Sequence, residues 1–219
     1  MASSSDGSGK EIIYSVIGFF VGLALIYYGV KLFKKKRLIE NIPVSKIRSI
    51  SLGLTEIFGK AVPLDSGLLK SPLTNSDCVY YNYAIRERRS SGKNSHWVTI
   101  KKGVSQDPFY IEDDTGKILV NPNFAELKLV VDNLSSSAWR TDPPENIKLF
   151  LEKNNIKFEG FLGINKTMEF RETFIAPNDS IYVLGSAMEN KESSSNSGVE
   201  RLIMGKGVDR MLYISDKPE

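Results

Sequence analysis

An apolar run near the N-terminus constrains this chain more than any other feature. From Ile12 to Phe33 the only charged residue is Lys31. As a helix this run would span roughly 33 Å at about 1.5 Å per residue, enough to cross a hydrocarbon core. A cleaved signal peptide is the alternative, but it needs a basic segment before the apolar core and a small-residue cleavage site after it. The sequence therefore predicts a transmembrane helix at 12–33, behind a short tail at 1–11.

The basic residues around this run predict its orientation. The tail contains only Lys10, whereas a basic cluster directly follows the run: Lys34, Lys35, Lys36 and Arg37. By the positive-inside rule, the N-terminus lies outside and the rest of the chain lies in the cytoplasm. We therefore expect a single-pass protein with the lipid bilayer as one partner. Gly18 and Gly22 form a G-x-x-x-G pair, which makes a homo-oligomer through the helix a further expectation.

The charge of the soluble part argues against one class of partner. Residues 1–37 contain six basic and two acidic groups, a net charge of +4. Residues 38–219 then contain 23 basic and 24 acidic groups, a net charge of −1. Because nucleic-acid-binding domains gain most of their affinity from neutralising phosphates, they are usually strongly basic. No nucleic-acid partner is expected.

Beyond the helix, the sequence predicts a mainly β (α+β) soluble domain that is barrel-like and carries one amphipathic helix. A basic juxtamembrane bridge at 34–49, helical over 42–50, leads into a domain at 50–216, which could form two lobes at 50–132 and 140–216. Alternating apolar residues and turn-forming residues predict the strands. They are expected at 51–62, 78–87, 97–101, 109–111, 118–120, 127–131, 168–175 and 180–187, with a final pair at 199–204 and 210–215.

Two of these elements carry specific expectations. Val79, Tyr81, Tyr83 and Ile85 alternate, so we expect them on one buried strand face. The helix is expected to begin at Asp142, with Pro143 in the first helical position and Glu145 completing a capping box. Its apolar stripe is expected to consist of Ile147, Phe150 and Leu151. The Ser/Asn/Gly-rich stretch 190–198 is interpreted as a loop.

The chemically reactive residues do not form a recognisable active site. Asp113 and Asp114 precede Thr-Gly, which favours a hairpin turn over a cation site. One cysteine, Cys78, and one histidine, His96, are too few for a zinc site, and Cys78 on an aromatic strand is typical of a small core residue. We expect no catalytic, cofactor-binding or metal-binding residues.

Several short segments follow one another in a characteristic order. The segments are 42–49, 59–62, 71–83, 108–120, 172–177, 182–185 and 214–215. The motif positions within or beside them are Pro72, Leu73, Cys78, Tyr80, Tyr81, Asp113, Gly116, Glu172 and Gly185. In this order they resemble the GIDE family, whose soluble part is called the beside-a-membrane (BAM) domain. The resemblance implies a domain between two membrane helices, followed in eukaryotic members by a RING finger that makes the protein a ubiquitin ligase. A RING needs about eight Cys and His ligands for two zinc ions, and these 219 residues contain one of each.

We therefore predict a membrane-tethered interaction or scaffolding module of the GIDE type, with a protein partner that the sequence does not name. One alternative is a subunit or truncated relative of a membrane E3 ubiquitin ligase whose RING is supplied elsewhere. A second alternative is a ligand-binding domain, because the sheet-rich part with its hairpin resembles small OB-like barrels, which bind oligonucleotides or sugars.

Overall fold

The computed structural model describes residues 6–40, 42–92, 94–160, 163–190 and 201–216. The chain divides into two compact units, one ending at Ile42 and one beginning at Pro43. The first unit contains helix α1 (Asp6–Glu40). Its segment Glu11–Phe33 is long and apolar enough to cross a membrane, by length and composition. The predicted apolar helix is therefore confirmed and fits a membrane anchor. The backbone of 34–37 is helical, but the side chains of this basic cluster lie outside the described structure.

The second unit is mainly β, as predicted. A short 3-10 helix (Ile47–Ser49) and helix α2 (Glu145–Lys153) accompany the strands. The strands in the described residues are β1 (Val44–Ser45), β2 (Gly53–Val62), β3 (Leu69–Lys70), β4 (Asp77–Cys78), β5 (Tyr80–Ser91), β6 (Asn94–Val104), β7 (Phe109–Asp113), β8 (Gly116–Val120), β9 (Glu126–Lys128), β10 (Asn133–Ser137), β11 (Met168–Ile175), β12 (Ser180–Glu189), β13 (Leu202–Gly205) and β14 (Tyr213–Ser215).

Five strands close into a barrel. The hydrogen-bonded order is β2-β7-β8-β13-β12, and β12 pairs back onto β2, which completes the ring. The neighbours are antiparallel except for β8 and β13. Inward-facing side chains from all five strands fill the interior, including Ile57, Ile111, Ile118, Val183 and Met204. The barrel-like expectation is confirmed, since closure removes the open edges of these strands.

The second sheet has the order β10-β11-β5-β6 and is antiparallel throughout. Helix α2 covers one of its faces, and a second apolar core lies between them. This core contains Leu73, Tyr83, Ile85, Ile147, Leu151, Met168 and Phe170, with Phe150 partly buried against it. The predicted stripe of the helix is therefore confirmed.

Strands from both predicted lobes pair with one another. Strand β2 pairs with β12 in the barrel, and β5 pairs with β11 in the second sheet. The residues from Pro43 onward form one compact unit. The halves 50–132 and 140–216 therefore do not fold as separate lobes.

Several local predictions were wrong. The expected helical bridge over 42–50 contains a strand followed by only a short 3-10 helix. Helix α2 begins at Glu145, and Pro144 precedes it without a side-chain cap. The reason is steric, because a residue followed by proline disfavours helical backbone angles, which removes Pro143 from the helix. The carboxylate of Asp142 instead contacts Lys148 and Asn165.

Three strand predictions also need correction. The strand expected at 127–131 ends at Lys128, and the polar strand β10 follows it, held by pairing with β11. The expected final pair, β13 and β14, does not pair; both strands bind to β12. The prediction that Val79 shares one buried strand face with Tyr83 and Ile85 was also wrong. Val79 packs in the barrel core, while Tyr83 and Ile85 pack in the second core. Most of 190–198 lies outside the described residues.

Candidate functional site

A buried carboxylate ties one loop to the second sheet. Glu172 lies on β11 and is fully buried. Its Oε1 accepts a hydrogen bond from the Leu73 backbone N–H at 2.7 Å. Its Oε2 accepts from the Thr74 N–H at 2.9 Å, the Thr74 hydroxyl at 2.6 Å and the Ser71 hydroxyl at 3.1 Å. The Glu172 carboxylate therefore holds the loop 71–76, which contains Pro72, against the second sheet.

Helix α2 fixes the same loop from its other side. The Asn146 amide donates a hydrogen bond to the Leu73 carbonyl. The Leu73 side chain is buried in the core shared with α2. Because the N–H, the carbonyl and the side chain of Leu73 all have partners, this one residue holds the loop to both β11 and α2.

Cys78 and Tyr80 are structural neighbours of this loop. Cys78 is buried and its thiol contacts the Leu69 carbonyl at 3.7 Å. Burial, together with the nearby Glu172 carboxylate, raises the pKa of the Cys78 thiol to about 11, so the reactive thiolate is scarce at neutral pH. Burial also raises the pKa of Tyr80 to about 12. Tyr80 packs in the barrel core, and Tyr81 lies partly buried against the second core.

Asp113 anchors the start of the domain to the β7–β8 hairpin. Its Oδ1 accepts from the Thr115 N–H and hydroxyl and from the Gly116 N–H, which closes the turn. Its Oδ2 accepts from the Ile47 N–H at 2.9 Å. Burial opposes ionisation, yet the hydrogen bonds from Thr115, Ile47 and Gly116 hold the pKa of Asp113 below its usual value. Next to it, Asp114 forms an ion pair with Lys46.

The motif glycines differ in what they require. A Cβ on Gly185 would lie 2.8 Å from Leu212 Cδ1, the end of a flexible side chain, and 3.2 Å from the Gly205 carbonyl oxygen of β13, so a larger residue there would force both neighbours to shift. A Cβ on Gly116 would meet only Ile47 Cγ2, at 3.7 Å, which is an ordinary contact. Gly116 also does not have a positive φ. The turn therefore depends on Asp113 more than on its glycine.

An aromatic pair, exposed at Phe58 and half-buried at Tyr182, lies beside the anchored hairpin. The Phe58 and Tyr182 rings face each other across β2 and β12 with centroids 4.5 Å apart. A groove of about 430 Å³ adjoins Phe58. Its lining also includes Lys46, Gly59, Lys60, Glu112, Asp113, Asp114 and Ser180. Both charge signs and one aromatic face are therefore available at this surface, which we call the hairpin groove.

The structure brings together only some of the predicted positions. Glu172, Pro72, Leu73 and Cys78 lie around one loop, whereas Asp113 and Gly116 lie in the β7–β8 hairpin. His96 is exposed on β6. Among the residues that the structure describes, no group of three or more His, Cys, Asp or Glu side chains could hold a metal ion.

Sequence reasoning missed the hairpin groove. Phe58 alternates with Glu56 and Lys60, each two positions away along β2, so the sequence shows an apolar residue within a polar row. The partner Tyr182 comes from a strand more than a hundred residues away. Only the pairing of β2 with β12 joins them.

An apolar helix of membrane-spanning length, followed by a closed β-barrel and a second sheet, defines a membrane-associated module. Its buried polar groups hold loops in place. The chain belongs to the GIDE family: a model of that family, described as E3 Ubiquitin ligase, matches residues 81–201. It is thus an E3-ligase-related membrane module. Comparisons with curated proteins and with solved structures found no match.

Proposed function

We propose that this protein is a membrane-tethered interaction module that recruits a protein partner through the hairpin groove and has no catalytic residues of its own. The supporting observation is Phe58, which is 41% exposed, packs against the half-buried Tyr182 and lies beside Lys60 and Asp114 in the groove lining. Aromatic residues surrounded by polar groups are enriched at protein interfaces. By contrast, Glu172, Asp113 and Cys78 are engaged in bonds that hold the fold.

The test compares two exposed phenylalanines. A promiscuous biotin ligase is fused to the C-terminus of the full chain, and labelled proteins are compared between Phe58→Ser and Phe124→Ser in native membranes. Phe124 is 82% exposed and lies on the loop after β8, outside the groove lining. We expect Phe58→Ser to lose specific neighbours that Phe124→Ser retains. Equal labelling patterns for both variants would contradict the groove as the recruiting surface.

The proposal includes a cytoplasmic domain on a single-pass helix, from the positive-inside rule. Cysteines are introduced at Ser4 and at the exposed Lys153, and intact cells are treated with a membrane-impermeant thiol reagent. The reagent labels only a cysteine that lies on the outer side of the membrane. Native Cys78 can stay, because its thiol is buried and its pKa is about 11. We expect labelling at Ser4→Cys only. Labelling at Lys153→Cys would reverse the orientation.

A homo-oligomer through α1 is also part of the proposal. A Cβ on Gly18 or Gly22 would meet nothing within 4 Å among the described residues of the single chain. Substitution by leucine therefore leaves the isolated helix intact but blocks close approach of a second helix. We expect Gly18→Leu/Gly22→Leu to lower dimer cross-linking in membranes, with Ala24→Leu as the control, because Ala24 lies on the opposite face of the helix. Unchanged cross-linking would contradict a dimer through this face.

Two alternatives have specific support. The family description favours a subunit of a membrane E3 ubiquitin ligase whose RING is supplied by another chain. Co-purification of a RING protein with ligase activity would support this version. The closed five-stranded ring favours an OB-like ligand-binding domain. Binding of a glycan or oligonucleotide that Phe58→Ser abolishes would favour that version over a protein partner.

A further inference from the structure

The charge of the soluble part is very unevenly distributed. Residues 86–104, which run through the β5–β6 hairpin, contain six basic groups and one acidic group, a net charge of +5. Residues 38–219 together carry −1, so the remainder outside 86–104 carries −6. A near-neutral total therefore hides a strongly basic element on an acidic domain.

The basic hairpin extends past its neighbouring strand. The last paired residue of β11 is Met168, opposite Glu87, and one further backbone bond joins Arg88 to Thr167. Beyond that point, within the part of the chain that the structure describes, β5 and β6 pair only with each other, from Arg88↔Trp97 to Ser91↔Asn94. Four residue pairs at about 3.3 Å each give a projection of roughly 13 Å. Trp97, on this projection, is 39% exposed, and the Arg86 guanidinium lies 5.7 Å from its ring centroid.

A second exposed tryptophan lies at the same end of the sheet. Strand β10 ends at Ser137, opposite Met168. A tight turn follows, closed by reciprocal backbone bonds between Ala138 and Thr141. Trp139 and Arg140 form its tip; Trp139 is 65% exposed, and the Arg140 guanidinium lies 4.6 Å from its ring centroid. Both tryptophans of the chain are therefore at this end.

The geometry points to this end of the second sheet as a site that docks onto a bilayer surface rich in anionic lipids. We define the tryptophan end as Trp97, Trp139, Arg88, Arg89 and Arg140. Indole rings favour the headgroup level, where one side is apolar and the other wet. Arginines beside them are attracted by anionic headgroups, each by about 1 kcal/mol near the surface.

Two observations favour a bilayer over a nucleic acid or an acidic protein. Only residues 34–42 lie between Phe33, at the end of the apolar segment, and Pro43, where the domain begins. That stretch reaches at most about 30 Å, so a bilayer crossed by the helix is always close. In addition, the −6 charge of the remaining soluble part repels a long polyanion that runs across the domain. A bilayer that contacts the domain only at its basic end avoids this repulsion.

The test uses the full chain in nanodiscs and the two tryptophans as reporters. Trp139→Phe leaves Trp97 as the single tryptophan, and Trp97→Phe leaves Trp139. Nanodiscs of phosphatidylcholine alone, or mixed with phosphatidylserine, carry brominated acyl chains that quench a nearby indole. We expect both reporters to be quenched and blue-shifted only with phosphatidylserine, and we expect about 1 M salt to reverse the effect because the screening length falls to about 3 Å.

A charge-matched pair of variants makes the result specific. Arg88→Gln/Arg89→Gln removes two charges at the tryptophan end, which at the energy above lowers the ratio of docked to free domain roughly thirty-fold. Lys153→Gln/Lys157→Gln removes two exposed lysines from α2 and the segment after it, and should leave the quenching unchanged.

Other results would overturn the inference. Quenching that is equal in neutral and anionic nanodiscs contradicts charge-dependent docking, and quenching that is lost equally in both double variants contradicts docking through the tryptophan end. A spectral change with a single-stranded oligonucleotide but not with phosphatidylserine assigns the surface to nucleic acid instead. If circular dichroism shows that Arg88→Gln/Arg89→Gln does not fold, the salt dependence of quenching in the protein with its native arginines decides between these outcomes. These readouts are independent of the Phe58 experiment, so either idea can fail without the other.

Discussion

Replacing Glu172 tests the loop anchor most directly. The carboxylate accepts four hydrogen bonds in a fully buried position, three on Oε2 and one on Oε1. Glu172→Gln keeps the shape but replaces one accepting oxygen with an NH₂ group. If the remaining oxygen takes the Oε2 position, the NH₂ faces the Leu73 N–H and a buried donor loses its acceptor.

The cost follows from these contacts. A buried donor left without a partner costs about 1–3 kcal/mol, and hydrogen bonds to a charged group are worth about 1.5–3 kcal/mol against about 1 for neutral ones. We therefore expect Glu172→Gln to lower the free energy of unfolding by about 2–4 kcal/mol. Glu172→Ala, which removes all four acceptor contacts and leaves a cavity, should cost more, about 4 kcal/mol or above. Either loss is large against a typical total of about 5–15 kcal/mol.

The matched control is on the same strand. Glu169 pairs with Arg171 at 2.7 Å and with Arg86 at 3.3 Å on the other face of β11. Because this network is partly solvated, Glu169→Gln should cost under about 1 kcal/mol. The assay is urea unfolding of residues 43–216, monitored by tryptophan fluorescence. This segment contains both apolar cores, whose residues lie between positions 47 and 214. If Glu172→Gln costs no more than Glu169→Gln, the anchor argument is refuted.

Three further predictions concern packing and the hairpin. A Cβ on Gly103 would lie 2.5 Å from Tyr83 Cε1, so Gly103→Ala should cost about 1–3 kcal/mol in urea unfolding, and much less in a Tyr83→Ala background, which a double-mutant cycle measures. Gly116→Ala should cost under about 1 kcal/mol, and a larger loss would show that the turn needs glycine. The folded-state pKa of Asp113 is lowered, so its stabilisation is fully present above its unfolded pKa near 3.8 and is lost progressively as pH falls from there through the folded-state pKa. Unfolding at pH 5 and pH 3 should therefore show a smaller loss of stability in acid for Asp113→Asn than for the unmodified protein.

The sequence by itself determined the features that depend on neighbouring residues. The length of the apolar run set α1, since crossing a hydrocarbon core requires only consecutive apolar side chains. Alternation and turn chemistry located β7 and β8, and the limits of β11 matched the prediction. The order of short motifs led to the GIDE family, and a family model then matched residues 81–201.

Tertiary structure decided the features that depend on residues far apart in the chain. Val79 and Tyr83 satisfy the same alternation, yet they enter different cores because the chain is irregular between β4 and β5. The polar strand β10 has little intrinsic strand preference and forms because β11 supplies its hydrogen-bonding partner. Glu172 meets Leu73 across 99 positions, and the two tryptophans reach one end of a sheet only through the pairing of β10, β11, β5 and β6. Such contacts follow from strand register, which no local pattern in the sequence specifies.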